Sequence, residues 1–60
     1  MARERFNKKN VLFYDYLNCY RVFYKFNDGN RYYLGDFRKG GKSLIYLEAK
    51  HTIEKILQGN

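Results

Sequence analysis

The sequence predicts a small α+β domain, with an antiparallel sheet of three or four strands packed against one C-terminal helix. Two observations lead to this prediction. Residues 11–38 contain three runs of β-branched and aromatic side chains separated by turn residues, which is typical of strands. The last third of the chain instead has apolar residues at helical spacing. A chain of 60 residues accommodates one such domain.

The segment before the first strand, residues 1–10, is rich in cations and poor in apolar side chains. We predict that it forms a flexible basic arm and that residues 11–60 form the domain. Such an arm can be a solvated tail that keeps the domain soluble, or it can lie along phosphates. Its candidate contacts with nucleic acid are Arg5, Lys8 and Lys9.

Three strands are predicted at residues 11–16, 19–26 and 31–38. The second strand shows the clearest alternation, because Tyr20, Val22, Tyr24 and Phe26 share one face of the sheet. The opposite face of this strand then carries four residues of mixed character, Cys19, Arg21, Phe23 and Lys25.

The turn between the second and third strands predicts their register. Asp28-Gly29 favours a two-residue type I′ loop, which requires positive φ at both residues. Lys25 would then face Tyr32, Phe23 would face Leu34, and Arg21 would face Asp36. A three-residue loop with a bulge is the alternative, and it would turn one strand over relative to the other.

This register predicts two different faces of the sheet. The helix is expected to cover the face of Tyr20, Val22, Tyr24, Tyr33 and Phe37. The other face would mix cations with rings, as in sheets that bind single strands or enter a groove. Its predicted members are Arg21, Phe23, Lys25, Tyr32, Leu34, Asp36 and Arg38. Phe26 and Arg31, which is also a candidate contact with nucleic acid, are expected at the tip of the helix-side face.

The C-terminal third begins with a glycine-rich basic loop at residues 38–43. Its Lys39, Lys42 and bare glycine amides are candidate phosphate contacts. Residues 44–47 fit either a fourth strand or the first turn of a helix capped by Ser43. We predict a short strand there, followed by a helix over 48–58 that ends at a C-cap glycine, Gly59.

An apolar stripe on this predicted helix would face the sheet. It consists of Ala49, Ile53, Ile56 and Leu57.

The composition excludes several classes of function. One cysteine and one histidine do not form a disulfide or a four-ligand zinc site, and the six carboxylates show no spacing typical of acid/base catalysis. We therefore expect no enzyme activity, no metal and no cofactor. A lone free cysteine favours the cytoplasm, and no apolar run is long enough to span a membrane.

Residues 20–37, YRVFYKFNDGNRYYLGDF, resemble the hairpin of AP2-like DNA-binding domains, including the arm-binding domains of phage-type integrases. The similar features are alternating cations and rings, the Asp-Gly turn, the Leu-Gly-x-Phe ending and a helix near Glu48-Ala49. The resemblance implies a sheet that enters the major groove, with Arg21, Lys25 and Arg38 as contacts. The family's tryptophan is absent, so Phe23 or Phe26 would replace it.

The expected function is non-catalytic nucleic-acid binding, with DNA favoured over RNA. The charge of +6 attracts polyanions, and the twelve rings offer surfaces on which bases can stack. The size of the chain fits a phage or mobile-element origin. One alternative is a protein-binding module or inhibitor that docks on an acidic surface of a host or defence protein. Another is a homodimer through an edge strand or the aromatic face.

Overall fold

The structure, a computed structural model, describes residues 4–59 and has the predicted α+β architecture. A short 3-10 helix, Lys8–Asn10, leads into strand β1, Val11–Asp15. Strands β2, Cys19–Lys25, and β3, Arg31–Arg38, follow, and helix α1, Lys42–Leu57, ends the fold. The three strands form one antiparallel sheet in the order β1-β2-β3, so β2 lies in the middle.

The helix starts earlier than the sequence analysis predicts, and residues 44–47 are helical rather than a fourth strand. The reason is the burial of Ile45. In a helix, Ile45 lies one turn before Ala49 and two turns before Ile53, and all three are buried against the sheet. The N-cap is Gly41 instead of Ser43, and it makes no side-chain capping bond.

At the C-terminal end of α1, the predicted C-cap glycine is confirmed, whereas the predicted apolar stripe is only partly buried. Gly59 adopts a φ of +80°, and its N–H donates to the carbonyl of Ile56 at 3.0 Å, as expected of a glycine that ends a helix. Leu57 packs against the core. Ile56 is 39% exposed and lies outside the buried stripe, which runs through Ile45, Ala49 and Ile53 instead.

The hydrophobic core lies between α1 and one face of the sheet. Val11, Val22 and Tyr24 supply the sheet side. Partly buried aromatic side chains such as Phe13, Tyr20 and Phe37 surround this centre. The rings close the edges of this small core, so a good part of the aromatic content is structural.

The β2–β3 turn is a three-residue loop, and the predicted type I′ turn is wrong. The Phe26 N–H donates to the Asn30 carbonyl at 2.8 Å, and the Gly29 N–H donates to the Phe26 carbonyl at 3.0 Å. A type I′ turn requires positive φ at both Asp28 and Gly29. Gly29 has a φ of +92°, but among residues 4–59 only glycines have positive φ, so Asp28 does not meet this requirement. The Asp28 carboxylate instead accepts the Asn30 N–H at 2.8 Å.

A bulge at Leu34 compensates for this loop. Beyond the bulge the predicted register holds, and Arg21 lies opposite Asp36. Between the bulge and the turn it does not, because Phe23 lies opposite Tyr33, and Lys25 opposite Arg31. The predicted pairs of Phe23 with Leu34 and of Lys25 with Tyr32 are therefore wrong.

The bulge changes which side chains lie on each face of the sheet. Tyr33 shares the face of Phe23, on the side away from α1. Tyr32, opposite Tyr24, lies on the helix side, where Leu34 packs against the core. The positions predicted for Tyr32 and Tyr33 are thus exchanged. The faces predicted for Arg31 and Leu34 are wrong as well, because Arg31 lies opposite Lys25 on the side away from α1 and Leu34 lies on the helix side.

Candidate nucleic-acid interface

The face of the sheet opposite α1, here called the open face, carries four of the nine cations predicted to bind nucleic acid. It contains four cations and one carboxylate around a group of rings. The strand register places these chemistry-bearing residues there: Tyr14, Arg21, Phe23, Lys25, Arg31, Tyr33, Asp36 and Arg38. Since the helix covers the other side, these groups can meet a partner.

Phe23 is the centre of an aromatic cluster on the open face. The Tyr14 ring meets it edge-on with centroids 5.5 Å apart, and the Tyr33 ring lies 5.2 Å away at a tilt of 42°. The Arg31 guanidinium donates from Nη1 to the Tyr14 hydroxyl at 3.0 Å. The cluster is therefore partly covered by its own members, and Tyr33, which is 50% exposed, presents its largest free surface.

Arg21, Tyr33 and Asp36 form a charged network beside this cluster. One carboxylate oxygen, Asp36 Oδ1, accepts from Arg21 Nε at 3.2 Å and from the Tyr33 hydroxyl at 2.9 Å. The bond from Arg21, followed by that from Tyr33, lowers the pKa of Asp36 below its ordinary value. The same contacts with Asp36 raise the pKa values of Arg21 and Tyr33.

The other open-face cations lie at the two ends of the β2–β3 ribbon. Lys25 and Arg31 face each other next to the loop, and Arg38 lies opposite Cys19 at the far end. All three are exposed. Positive charge thus extends along the whole ribbon, with the single carboxylate of Asp36 near its middle.

The basic loop does not belong to the open face. Lys39 Nζ lies 3.5 Å from Asp15 and 5.4 Å from the centre of the Tyr20 ring. Lys42 Nζ lies 5.0 Å from the ring centre of Phe13 and 5.2 Å from that of Tyr20. Because Phe13 and Tyr20 pack against the core under α1, both lysines lie on the helix side.

The N-terminal segment also makes contacts away from the open face. The Phe6 ring stacks on Tyr24, with centroids 5.4 Å apart. Lys8 Nζ lies 4.5 Å from the ring centre of Tyr46, on α1, whereas Arg5 and Lys9 are exposed. The first three residues of the predicted arm lie outside the described part of the chain.

Two members of the open face, Tyr14 and Tyr33, were missed by the sequence analysis. Tyr16, whose ring lies against the Arg21 guanidinium, was missed as well. Tyr33 replaces Tyr32 as the ring next to Phe23. The alternative three-residue loop was the signal that pointed to Tyr33, whereas nothing in the alternation of β1 indicated the role of Tyr14.

The described residues show no cluster of three or more His, Cys, Asp or Glu that could hold a metal ion. His51 is exposed and Cys19 is half-buried. Over residues 4–59, no helix combines the length and apolar character needed to cross a membrane. Comparisons of the chain with known protein families, curated proteins and solved structures find no match.

Proposed function

We propose that this chain is a non-catalytic protein that binds DNA through its open face. The observation that carries the proposal is the arrangement of Arg21, Lys25, Arg31 and Arg38 around a partly exposed ring cluster, on the side that α1 leaves free. Four cations against one carboxylate give this face a strong attraction for phosphates. The overall charge of +6 adds long-range attraction.

The shape of the face favours a duplex over a single strand. All four cations belong to β2 and β3, and two strands spaced by about 5 Å form a ribbon of the kind that the major groove of B-DNA admits. Single-strand binding needs ring faces that bases can cover. Here Tyr14 meets Phe23 at an interplanar angle of 84°, so these rings do not form a row of parallel platforms.

The same argument favours DNA over RNA. The major groove of an RNA duplex is too deep and narrow for side chains to reach the bases. An acidic protein surface would also attract these cations and tyrosines, and a protein partner is therefore the alternative outcome of the test below.

The test is a fluorescence-anisotropy titration of the whole chain with short duplex and single-stranded DNA at two salt concentrations. If Lys25, Arg31 and Arg38 each neutralise one phosphate, the logarithmic salt slope is about −2.7, and affinity falls roughly sixfold per doubling of salt. We expect the duplex to bind more tightly than the single strand.

A matched pair of variants locates the interface. Lys25→Ala removes a cation from the open face, and Lys50→Ala removes one from the exposed surface of α1. We expect Lys25→Ala to reduce the salt slope by about 0.9, and Lys50→Ala to change it little. Absence of binding to either DNA at low salt would overturn the proposed function.

A further inference from the structure

A second group of cations lies on the helix side of the sheet, above a cluster of three rings. Each ring comes from a different element, since Phe13 belongs to β1, Tyr20 to β2 and Tyr46 to α1. Phe13 meets both other rings edge-on, with its centroid 5.4 Å from that of Tyr20 and 5.3 Å from that of Tyr46. All three rings are half-buried and pack against the core, so they form a fixed base for the side chains that cross them.

Three lysine ammonium groups lie over these rings. Lys8 Nζ is 4.5 Å from the ring centre of Tyr46, whereas Lys39 Nζ and Lys42 Nζ are 5.4 and 5.2 Å from that of Tyr20. The negative ring faces attract the ammonium groups, and a lysine that is already positioned loses less conformational freedom when it binds. These three lysines and the three rings beneath them are here called the lysine corner.

The lysine corner has an excess of positive charge. Over residues 4–59, Asp15 is the only carboxylate within ion-pair distance of its lysines, and Asp15 pairs with Lys39 at 3.5 Å. Lys8 and Lys42 are exposed and lie over rings instead of carboxylates. A ring holds an ammonium group without neutralising its charge, so Lys8 and Lys42 remain available to an anion.

We propose that the lysine corner is a second DNA-binding surface, weaker than the open face, and that one chain bridges two duplex segments. The inference rests on the proposed function, because the open face binds the first of these segments. The two surfaces lie on opposite sides of the sheet, since Phe13 and Tyr20 pack on the side of α1.

The size of the domain requires that the two surfaces meet different segments of DNA. The domain measures 41 × 20 × 19 Å. Duplex DNA has a persistence length of about 150 bp, so it does not bend around so small a body without a large cost in free energy. A short duplex on the open face therefore leaves the lysine corner free for another duplex.

The chemistry of the lysine corner fits a phosphate backbone. A lysine ammonium is a point charge and lacks the planar fork with which arginine reads a base edge or a carboxylate, so these contacts carry no sequence preference. Protein interfaces are typically anchored by aromatic and arginine side chains that fill pockets on the partner. The rings of the lysine corner are instead half-buried beneath the lysines.

The second surface should also be the weaker one. It has three cations and one carboxylate, whereas the open face has four cations and one carboxylate. The affinity for a single duplex is therefore set by the open face, and the lysine corner is detected only when a second duplex is offered.

The experiment measures capture of that second duplex. An immobilised duplex is loaded with the whole chain at low salt, a fluorescent duplex is titrated at several salt concentrations, and the captured label is divided by the amount of chain still bound. If Lys8 and Lys42 each neutralise one phosphate, capture has a logarithmic salt slope of about −1.8. Immobilised duplex without the chain gives the background.

A matched pair of variants assigns the capture to the lysine corner. Lys42→Ala and Lys55→Ala each remove one exposed lysine from α1, in its first and last turn. We expect Lys42→Ala to reduce the slope of capture by about 0.9, and Lys55→Ala to change it little. Lys8→Ala, in a different element, should act like Lys42→Ala, and circular dichroism would verify that the variants are folded.

The outcomes separate this inference from the function on which it rests. A chain that binds one duplex but captures no second duplex above background would overturn the inference and leave the proposed function standing. Capture that is unchanged in both Lys8→Ala and Lys42→Ala would also overturn it and would indicate a dimer with two open faces. Failure of wild type to bind any duplex at low salt would overturn both.

A further arm of the experiment tests an acidic protein as the occupant of the lysine corner. Fluorescent poly-glutamate replaces the second duplex under the same conditions. Binding of poly-glutamate that depends on Lys42, without capture of a second duplex, would overturn the inference in favour of an acidic protein partner.

Discussion

The buried hydroxyl of Tyr24 accepts a hydrogen bond from the backbone N–H of Asn7 at 2.8 Å. Tyr24 is 0% exposed and is one of the largest side chains in the core. Its ring also stacks with Phe6, one residue before Asn7. Tyr24 thus holds the N-terminal segment, which is distant in sequence, against the sheet through one hydrogen bond and one ring contact.

Removal of this hydroxyl is expected to weaken the fold. Tyr24→Phe leaves the Asn7 N–H without its partner in a partly buried place and should lower the free energy of unfolding by about 1–2 kcal/mol. Urea denaturation measures this loss. The matched control is Tyr14→Phe, which removes a hydroxyl bonded to Arg31 on the exposed surface and should change stability by less than about 0.5 kcal/mol. Equal losses in the two variants would contradict the role given to Asn7.

The edge of the helix interface can be tested with two isoleucines three residues apart. Ile53 is 0% exposed and Ile56 is 39% exposed. Ile53→Ala should cost about 2–5 kcal/mol, because it removes buried methyl groups and leaves a cavity. The whole domain is expected to have only about 3–9 kcal/mol of stability, so this variant should be largely unfolded at elevated temperature.

The control in this pair is Ile56→Ala, for which we expect a loss below about 1 kcal/mol. Thermal unfolding of both variants, followed by circular dichroism, provides the comparison. A loss for Ile56→Ala as large as that for Ile53→Ala would contradict this placement and would mean that both isoleucines are buried against the sheet, as the predicted apolar stripe requires.

The predicted hairpin register shows where sequence patterns succeed and where they fail. The pairing of Arg21 with Asp36, predicted from a two-residue Asp28-Gly29 loop and consistent with their opposite charges, is confirmed. The residues nearer the turn are shifted, because the loop has three residues and Leu34 forms a bulge. Both Tyr32 and Tyr33 are tyrosines, so side-chain chemistry alone does not distinguish which one faces outwards. The choice depends on backbone geometry at Leu34.

The start of the helix illustrates a different limit. Residues 44–47, Leu-Ile-Tyr-Leu, include two strand formers, Ile45 and Tyr46, yet all four residues are helical. Local propensity is overridden because only the helix places Ile45 in line with Ala49 and Ile53 over the sheet. The apolar character of this stretch predicts that it contains core residues. Whether these residues reach the core from a strand or from a helix is decided by tertiary packing.

The network around Asp36 should make stability depend on pH at the acidic end. Its pKa lies below the ordinary value of 3.8 because the folded chain favours the charged carboxylate. The stabilisation is therefore complete above about pH 4 and is lost as the pH falls through the lower pKa of the folded state. Wild type should lose more stability than Asp36→Asn over this range, as urea denaturation at several pH values would show.

The two donors to Asp36, Arg21 and Tyr33, should affect the pKa of this carboxylate to different extents. Arg21→Ala should raise the pKa of Asp36 towards its ordinary value by more than Tyr33→Phe does, since the bond from Arg21 is the larger cause of the shift. Titration of the carboxyl carbon by NMR measures both changes. If neither variant moved the pKa of Asp36, the carboxylate would not be bonded to these groups in solution.

Arg38 and Lys42 are close in sequence but lie on opposite sides of the sheet, and this separation gives a sharp test of the binding surface. Arg38 is an exposed cation at one end of the open face. Lys42 Nζ lies about as close to the ring centre of Phe13, 5.0 Å, as to that of Tyr20, 5.2 Å, beside the helix. Each substitution by alanine removes one positive charge, so long-range attraction changes equally in the two variants.

A direct phosphate contact should distinguish them. We expect Arg38→Ala to reduce the logarithmic salt slope for duplex binding by about 0.9, and Lys42→Ala to leave the slope nearly unchanged. Anisotropy titrations at three salt concentrations, well below the melting temperature of each variant, measure both slopes. An equal reduction in the two variants would place the glycine-rich loop in the interface, as the sequence analysis predicted for Lys39 and Lys42, and the contact surface would then have to extend around the end of the sheet.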